Sequence, residues 1–243
     1  MTGGRSAILT YHSLDDSGSV ISVSPERFRR QMEFLASAPV PVVPLEEALL
    51  RPNSVAITFD DGFCNFLDHA APVLDRLKLP ATVFVVSGYC GGRNNWPTQP
   101  PGVLDLPLMG WQDLASLPPT ISIGAHTDTH PHLSALTEAQ CERELRECQD
   151  KIEGRLGRRI RSLAYPYGSN SASVMAVAGR HFDLAVGTSL AFVSTRSSAL
   201  DLPRIDAYYL RGRFSVKSLF EPWGATYIGL RNVLRNARRG KFA

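Results

Sequence analysis

An α/β fold built on a parallel sheet is predicted by three features of the sequence. Short apolar, β-branched runs recur along the chain, helical patterns separate most of them, and no internal repeat interrupts the alternation. Strands that alternate with helices form parallel sheets with right-handed crossovers, either closed into a barrel or open and doubly wound. Both architectures place their chemistry at the carboxyl ends of the strands.

The predicted elements follow from local patterns. The runs of strand length are residues 5–11, 54–59, 81–86, 120–125, 162–165 and 183–187, with a weaker one near 40–43. Helices are predicted after the cap formed by Ser24 and Pro25, and over 63–78, 137–156 and 170–180. The segment 88–110 is rich in glycine and proline, so we expect a long loop near the functional edge of the sheet.

Composition places the chain among globular proteins. Its 243 residues are 44% hydrophobic and 20% charged, and this length suits one α/β barrel. The sequence has no run of about 20 apolar residues that would form a membrane-spanning helix. Residues 1–11 lack the apolar core of a signal peptide, which predicts a cytoplasmic protein.

Positive charge is concentrated at the carboxyl end of the chain. Residues 204–243 contain nine Lys or Arg and two acidic residues, whereas the whole chain has a net charge of only +3. This asymmetry predicts a basic tail that meets an anionic partner, and not a nucleic-acid-binding core. Apolar and basic residues alternate there with helical spacing: Tyr227, Leu230, Val233, Leu234 and Ala237 with Arg231, Arg235, Arg238 and Arg239. Two interpretations stay open, a basic helix on an anionic membrane or a terminal helix packed on the barrel.

Two adjacent carboxylates, Asp60 and Asp61, end the apolar strand in the sequence TFDDG. Carboxylates this close repel each other unless a cation is near, and a metal ion lets one be a ligand while the other acts as a base. The alternative is a solvated turn that caps the next helix.

Two histidines, His126 and His130, end another apolar strand in the sequence GAHTDTH. Two imidazoles and one carboxylate suit a divalent ion with open positions for water and substrate. A histidine pair with this spacing is often only a polar stretch, but here both groups leave strands at the same predicted edge.

Two further strand ends carry candidate groups. Tyr165, Pro166, Tyr167 and Gly168 follow one strand, where proline removes a donor and glycine permits an unusual turn. The Tyr167 amide is then free to bind an oxyanion, unless the segment is a plain loop. His12 ends the first strand and belongs to the same rim.

The motifs TFDDG, HTDTH and PYG, in this order and at strand ends, resemble those of the polysaccharide deacetylases of carbohydrate esterase family 4, the NodB-homology superfamily. The resemblance covers roughly residues 5–206. It implies a distorted (β/α)7 barrel in a single domain and metal-dependent hydrolysis of an acetyl group on a sugar. It also implies roles for site residues: Asp60 as general base, Asp61, His126 and His130 as metal ligands, and the Tyr167 amide in the oxyanion site.

The chain departs from the family pattern at three places. No Leu-x-His motif follows residue 187, and the opening TYHSL resembles the subset related to poly-N-acetylglucosamine deacetylases, which implies His12 as the general acid. Ala164 stands where the family has an arginine that orients the catalytic aspartate, so Arg204 is a candidate to supply that guanidinium. The tryptophan of the fourth motif is missing near Asp183. Pro166, Trp111 and Arg204 are assigned to the substrate side, with Trp111 walling the pocket or lying in the core.

These observations lead to one predicted function. Residues 1–206 are expected to form the deacetylase barrel and residues 207–243 a basic, helical extension. We expect removal of acetyl groups, above all N-acetyl groups, from a polysaccharide, an oligosaccharide or a lipid-linked glycan precursor, with zinc, cobalt or nickel as cofactor. Alternatives are an O-acetyl esterase, a glycan-binding module with weak catalysis, and an iron oxygenase. The location is expected to be cytoplasmic or peripheral at the inner membrane.

Overall fold

Parallel strands and flanking helices form the fold in a computed structural model that describes residues 5–212 and 214–239. The strands within those ranges are β1 (Ala7–Tyr11), β2 (Ser13–Leu14), β3 (Ser22–Val23), β4 (Val55–Phe59), β5 (Ala81–Val85), β6 (Ile121–Ala125), β7 (Ser162–Ala164), β8 (Leu184–Val186) and β9 (Ile205–Asp206). The helices are α1 (Pro25–Ser37), α2 (Asn65–His69), α3 (Ala71–Leu77), α4 (Trp111–Ala115), α5 (Glu138–Leu156), α6 (Ala172–His181) and α7 (Gly224–Arg239).

The main sheet has the strand order β8-β7-β6-β5-β4-β1-β9 in the described residues, and every neighbouring pair is parallel. The segment 202–206 contacts both edges of this sheet. Leu202 forms a bridge with Val186 next to β8, and Ile205 pairs with Leu9 of β1. These contacts curl the sheet, so the predicted distorted (β/α)7 barrel is confirmed.

Burial explains why the strands were visible in the sequence. Every residue of β1, β4 and β5 is buried, as expected for parallel strands that are covered on both faces. Each strong apolar run coincides with a strand to within two residues at either end. The weak run near 40–43 is not a strand, because its contact with the sheet is the isolated bridge between Val42 and Val55.

The helices follow their capping signals. The Thr137 hydroxyl accepts from the amide of Gln140 at 3.3 Å, and the Gln140 side chain accepts from the Thr137 amide at 2.9 Å, so α5 begins as predicted. The predicted helix 63–78 is instead the pair α2 and α3, which meet at Ala70. Pro72 lies in the first turn of α3, where a missing N–H is tolerated, but it cannot continue the preceding helix.

The segment after the barrel packs along its side. The Gln31 amide donates to the Leu210 carbonyl at 3.3 Å, Arg211 donates to the Ser19 carbonyl at 2.7 Å, and Ile228 of α7 is buried. The side chains of Arg238 and Arg239, and residues 240–243 of the predicted extension, lie outside the described part of the structure. Among the described helices, none has the length and apolar character needed to cross a bilayer.

Candidate active site

The carboxyl ends of the central strands surround one cleft of about 420 Å3. His12 follows β1, Asp60 and Asp61 follow β4, His126 follows β6, and Tyr167 follows β7. All five line the cleft, together with Val20, Ile21, Trp96, Gln99, Val103, His130, Tyr165 and Thr188. The structure therefore brings together the catalytic and metal-ligand candidates that the sequence analysis placed at strand ends.

A compact cluster of three buried groups lies at the centre of the cleft. One carboxylate oxygen of Asp61 is 3.4 Å from Nε2 of His126 and 3.4 Å from Nε2 of His130. The two Nε2 atoms are 3.2 Å apart. The three ligand-type atoms lie within 4.8 Å of one another, which suits a common metal ion.

Hydrogen bonds on the far side of each ring fix which nitrogen carries the proton. Nδ1 of His126 donates to the Ala164 carbonyl at 2.7 Å. The Tyr167 hydroxyl donates to the Thr98 carbonyl at 2.8 Å, so it accepts from Nδ1 of His130 at 3.1 Å. Because both Nδ1 atoms are donors, both Nε2 lone pairs face Asp61.

The charge balance of the cluster favours a cation. The Asp61 oxygen that faces both imidazoles is buried and has no hydrogen-bond donor among the described residues. Burial would raise the pKa of Asp61, but His126 and His130 hold it well below its usual range. Burial lowers the pKa of His130 to about 4, which keeps that ring neutral. Burial would lower the pKa of His126, but the Asp61 and Asp60 carboxylates outweigh it and raise that pKa, so these groups favour a positive charge at this place. One carboxylate and two imidazole nitrogens are a donor set for zinc, cobalt or nickel, so these residues fit the metal that the family resemblance implies.

Side chains of neighbouring elements anchor the loop between the two histidines. The Glu144 carboxylate of α5 accepts from the amides of Asp128 and Thr129, at 3.1 and 2.9 Å. Asp128 itself accepts from Ser87 at 2.6 Å and from Lys151 at 2.7 Å. Asp128 therefore stabilises the loop and is not part of the cluster.

Left-handed backbone conformations concentrate at this site. They occur at Asp61 (φ 71°), Thr127 (φ 67°), His130 (φ 60°) and Tyr167 (φ 59°). For residues other than glycine such conformations cost about 1 kcal/mol or more each, and they cluster at functional sites. At Gly168 (φ 67°) glycine is required for a second reason, because a Cβ atom would lie 2.1 Å from the Thr188 hydroxyl.

The second carboxylate, Asp60, is bound by Arg204. The two terminal nitrogens of the guanidinium lie 2.7 and 2.6 Å from the two Asp60 oxygens, and Nε donates to the Gly187 carbonyl at 2.8 Å. Burial would raise the pKa of Asp60, but the Arg204 charge outweighs it and keeps that pKa below its usual value. The Arg204 guanidinium thus contacts the aspartate that the missing family arginine would orient. It faces Asp60, and not the open cleft where a substrate-side residue was expected.

His12 approaches Asp60 from the cleft. Its Nε2 is 3.8 Å from the Asp60 oxygen Oδ2, and its side chain is 21% exposed. The imidazole is therefore close to the reacting region and also accessible to a bound molecule.

The tryptophan of the cleft is Trp96, and the expectation that Trp111 walls the pocket is not met. Trp111 begins α4, packs against the main core and lies beneath the Arg155 guanidinium at 5.9 Å. The Trp96 ring stacks on His130 with centroids 4.1 Å apart, and its Nε1 donates to the Tyr167 hydroxyl at 3.1 Å.

Pro166 also does not line the cleft. It is buried at the start of the 3₁₀ turn Pro166–Gly168 and shapes the backbone that presents Tyr167. Tyr167 contributes its hydroxyl to the site in addition to the predicted amide, because the hydroxyl is a hydrogen-bond partner of His130.

Comparison with known proteins agrees with the geometry. The sequence profile of the polysaccharide deacetylase family matches residues 49–181, more than half of the chain. The chain belongs to this family. Two residues beside Asp60 in this polysaccharide deacetylase, His12 and Arg204, lie outside the matched stretch.

Two named proteins resemble the chain in sequence. YxkH of Bacillus subtilis, named for the same family, is 25% identical over 207 residues, which are 82% of this chain and 70% of that protein. The poly-β-1,6-N-acetyl-D-glucosamine N-deacetylase of Staphylococcus aureus is 26% identical over 164 residues. That match covers 60% of this chain and only 54% of the staphylococcal enzyme.

The structural neighbours support the fold. The deacetylase PplD of Streptococcus pyogenes, solved with acetate, superposes with a TM-score of 0.76 at 22% identity, covering 91% of this chain and all of the other. IcaB of Ammonifex degensii superposes with a TM-score of 0.71 at 23% identity, covering 85% of this chain and 95% of the other.

Proposed function

We propose that the protein is a metal-dependent deacetylase that hydrolyses N-acetyl groups on amino sugars of a polysaccharide, an oligosaccharide or a lipid-linked glycan precursor. The observation that carries this proposal is the position of the Asp60 carboxylate, bound by Arg204 beside the cluster of Asp61, His126 and His130. The staphylococcal relative, named as an N-deacetylase of a glucosamine polymer, supports the substrate class.

The three residues of the cluster would hold the ion. Asp61, His126 and His130 supply one carboxylate and two imidazole ligands, and zinc, cobalt and nickel all suit this set. When bound, such an ion supplies Lewis acidity that activates water and polarises the acetyl carbonyl.

Asp60 acts as the general base. Because Arg204 keeps its pKa low, Asp60 is ionised near neutral pH and can accept the proton of the attacking water. The two hydrogen bonds from Arg204 also fix the plane of the carboxylate. The Tyr167 amide lies in the first turn of a 3₁₀ segment, where N–H groups lack an intrahelical acceptor, so it can donate to the developing oxyanion.

His12 acts as the general acid. An amine leaves an amide only if it is protonated, so the reaction needs a donor on the leaving-group side. The His12 imidazole lines the cleft close to Asp60 and can carry this proton. A glycan-binding module without turnover would not need this arrangement, and the arginine that the sequence motif lacks has a counterpart in Arg204.

We also propose that the chain is divided into a catalytic barrel, residues 1–206, and an extension, residues 207–243. A second groove of about 330 Å3 joins the two parts. His12 and Asp60 line one part of it, and Tyr208, Tyr209 and Arg235 of the extension line another. This groove supports a role for the extension in binding the glycan beyond the reacting sugar.

The test measures acetate and free amine together. Metal-reconstituted wild type, Asp60→Asn and the surface control Asp68→Asn are incubated with N-acetylglucosamine oligomers. We expect equal amounts of acetate and amine from wild type and Asp68→Asn, and neither from Asp60→Asn with its metal retained. Acetate without amine from an O-acetylated sugar would identify an O-acetyl esterase. Full activity of Asp60→Asn would refute the assignment of the base.

A further inference from the structure

The final helix, α7, presents its apolar side chains to solvent. Ile228 is buried against the barrel, whereas Leu230, Val233 and Leu234 are 58%, 65% and 47% exposed. With 3.6 residues per turn, these three residues lie on the face opposite Ile228. The helix thus packs on the barrel through Ile228, while these three apolar side chains stay outside that contact.

An aromatic side chain extends the same face. Trp223 precedes α7 by one residue, is 51% exposed, and lies seven positions before Leu230, which puts both on one side of the helix. We call Trp223, Leu230, Val233 and Leu234 the outer face of α7. An amphipathic ring beside exposed aliphatic groups is typical of segments that lie between water and an apolar phase.

The charged residues within α7 have a single sign. The sequence of α7 contains four arginines and no acidic residue. Nε of Arg231 donates to the Tyr227 hydroxyl at 2.9 Å, and Arg231 lines a surface groove together with Trp223 of the outer face. Arg235 lines the second groove. Arginine stems can lie along apolar surface while the charged group reaches an anion.

We propose that the outer face of α7 docks on an anionic membrane surface. Apolar side chains would enter the interfacial region, and the arginines would reach the phosphates of acidic lipids. A second copy of the chain is a less suitable partner for the outer face, because pairing two α7 helices would bring their positively charged arginines close together.

Docking through α7 would also orient the enzyme. Arg235, Tyr208 and Tyr209 line the groove that contains Asp60 and His12, so the docked helix borders the path to the catalytic groups. Together with the proposed function, on which this step rests, the arrangement suits a glycan held at the membrane surface. The docking itself does not depend on that function.

The test is sedimentation of the full chain with lipid vesicles at low ionic strength. We expect binding to vesicles of equal parts phosphatidylcholine and phosphatidylglycerol, weak binding to pure phosphatidylcholine, and release by high salt. The double variant Leu230→Ser/Leu234→Ser should bind at least about tenfold more weakly, because each leucine loses its apolar transfer energy. The control Leu50→Ser changes a leucine that is 78% exposed elsewhere on the surface, and should bind like wild type.

Three results would overturn the proposal. The first is wild-type protein that stays in the supernatant with anionic vesicles, and the second is a double variant that sediments as well as wild type. The third is a dimer in sedimentation equilibrium that the double variant disrupts while no vesicle binding occurs, which would assign the outer face to a second copy. Acetate release from soluble oligomers is measured separately, so failure of docking and failure of the deacetylase assignment are distinguishable.

Discussion

The guanidinium of Arg204 contacts both carboxylate oxygens of Asp60, a residue 144 positions earlier in the chain. Arg204 lies beside Asp60 because the next residue, Ile205, pairs with Leu9 of β1, and β1 in turn pairs with β4, the strand that immediately precedes Asp60. Arg204 and His12 both lie outside the stretch 49–181 that matches the family profile. The surroundings of Asp60 are therefore completed by residues that lie before and after the matched stretch.

Replacing Arg204 should separate catalysis from metal binding. Lysine cannot bind both oxygens of Asp60, so we expect Arg204→Lys to lower kcat by about 100-fold while the metal content is unchanged. Arg204→Met leaves Asp60 buried without its partner and should destabilise the fold by about 3 to 5 kcal/mol. Steady-state kinetics, metal analysis and thermal unfolding measure these effects. Arg161→Lys, at an exposed ion pair, is the control. Wild-type kcat in Arg204→Lys would contradict the prediction.

Removing a cluster histidine should remove the metal. His126→Ala or His130→Ala leaves at most one imidazole beside Asp61, so we expect dialysed protein without stoichiometric metal. Elemental analysis by mass spectrometry gives the metal-to-protein ratio. His132→Ala is the matched control, because this ring stacks on Tyr167 but is outside the cluster. A His130→Ala protein with one tightly bound ion would disprove the ligand assignment.

The role of His12 should depend on the leaving group. An amine needs a proton to leave, and an activated ester does not, so His12→Ala should lose about 100-fold or more on an N-acetyl sugar and little on an activated acetate ester. Values of kcat/KM for both substrates give the comparison, with His69→Ala as a surface control. Equal losses on both substrates would indicate that His12 has a structural role.

The hydroxyl of Tyr167 should affect metal affinity more than turnover. Tyr167→Phe removes the acceptor of the His130 Nδ1 proton but leaves the backbone amide in place. We expect metal to bind about 10 to 100 times more weakly, as for other outer partners of histidine ligands, and near-normal kcat at saturating metal. Titration with a competing chelator measures the affinity. Tyr165→Phe removes another buried hydroxyl, which donates to Leu200, and should leave metal affinity unchanged. Equal losses in the two variants would contradict this role.

The carboxylate of Asp15, in the loop that precedes the cleft residues Val20 and Ile21, should make the free energy of unfolding depend on pH. Burial would raise the pKa of Asp15, but hydrogen bonds from Ser13, Ser17 and Ser22 outweigh it and lower that pKa. A lowered folded-state pKa adds stability above the unfolded value near 4, and this stability is lost as pH falls through the folded value. Because Asp15 is only partly buried, the cost of Asp15→Asn at pH 7 should stay below about 1 kcal/mol. Urea unfolding at several pH values tests this.

The control for that series is Asp16→Asn, which changes the neighbouring exposed carboxylate. Its free energy of unfolding should follow that of wild type at every pH. If the difference between Asp15→Asn and wild type persists undiminished well below pH 4, the hydrogen bonds to the ionised carboxylate are not its cause.

The sheet and the centre of the site could be predicted because their signals are local. Buried parallel strands leave continuous apolar runs, and the residues just after them must meet at one edge. Asp60, Asp61, His126 and His130 all follow this rule. The capping residues of α5 are equally local and marked its start correctly.

What the sequence did not reveal depends on contacts between distant segments. The loop 88–110 carries a tryptophan into the cleft, but nothing in its local pattern distinguishes Trp96 from Trp111 as the one that enters. The Tyr167 hydroxyl is bound by groups 37 and 71 positions away, His130 and Trp96. Strand β9 has only two residues, too few to show a period, and its place is set by pairing with β1.

The position of Arg204 in the last segment of the barrel has a consequence for incomplete chains. A fragment of residues 1–190 arises when synthesis is incomplete or when a protease cuts the loop after β8. It contains every motif residue, but its Asp60 lacks the Arg204 guanidinium. Such a fragment could retain the metal ligands, yet its aspartate would be neither oriented nor held ionised. The arrangement around Asp60 is therefore complete only once the chain is long enough to close its own sheet.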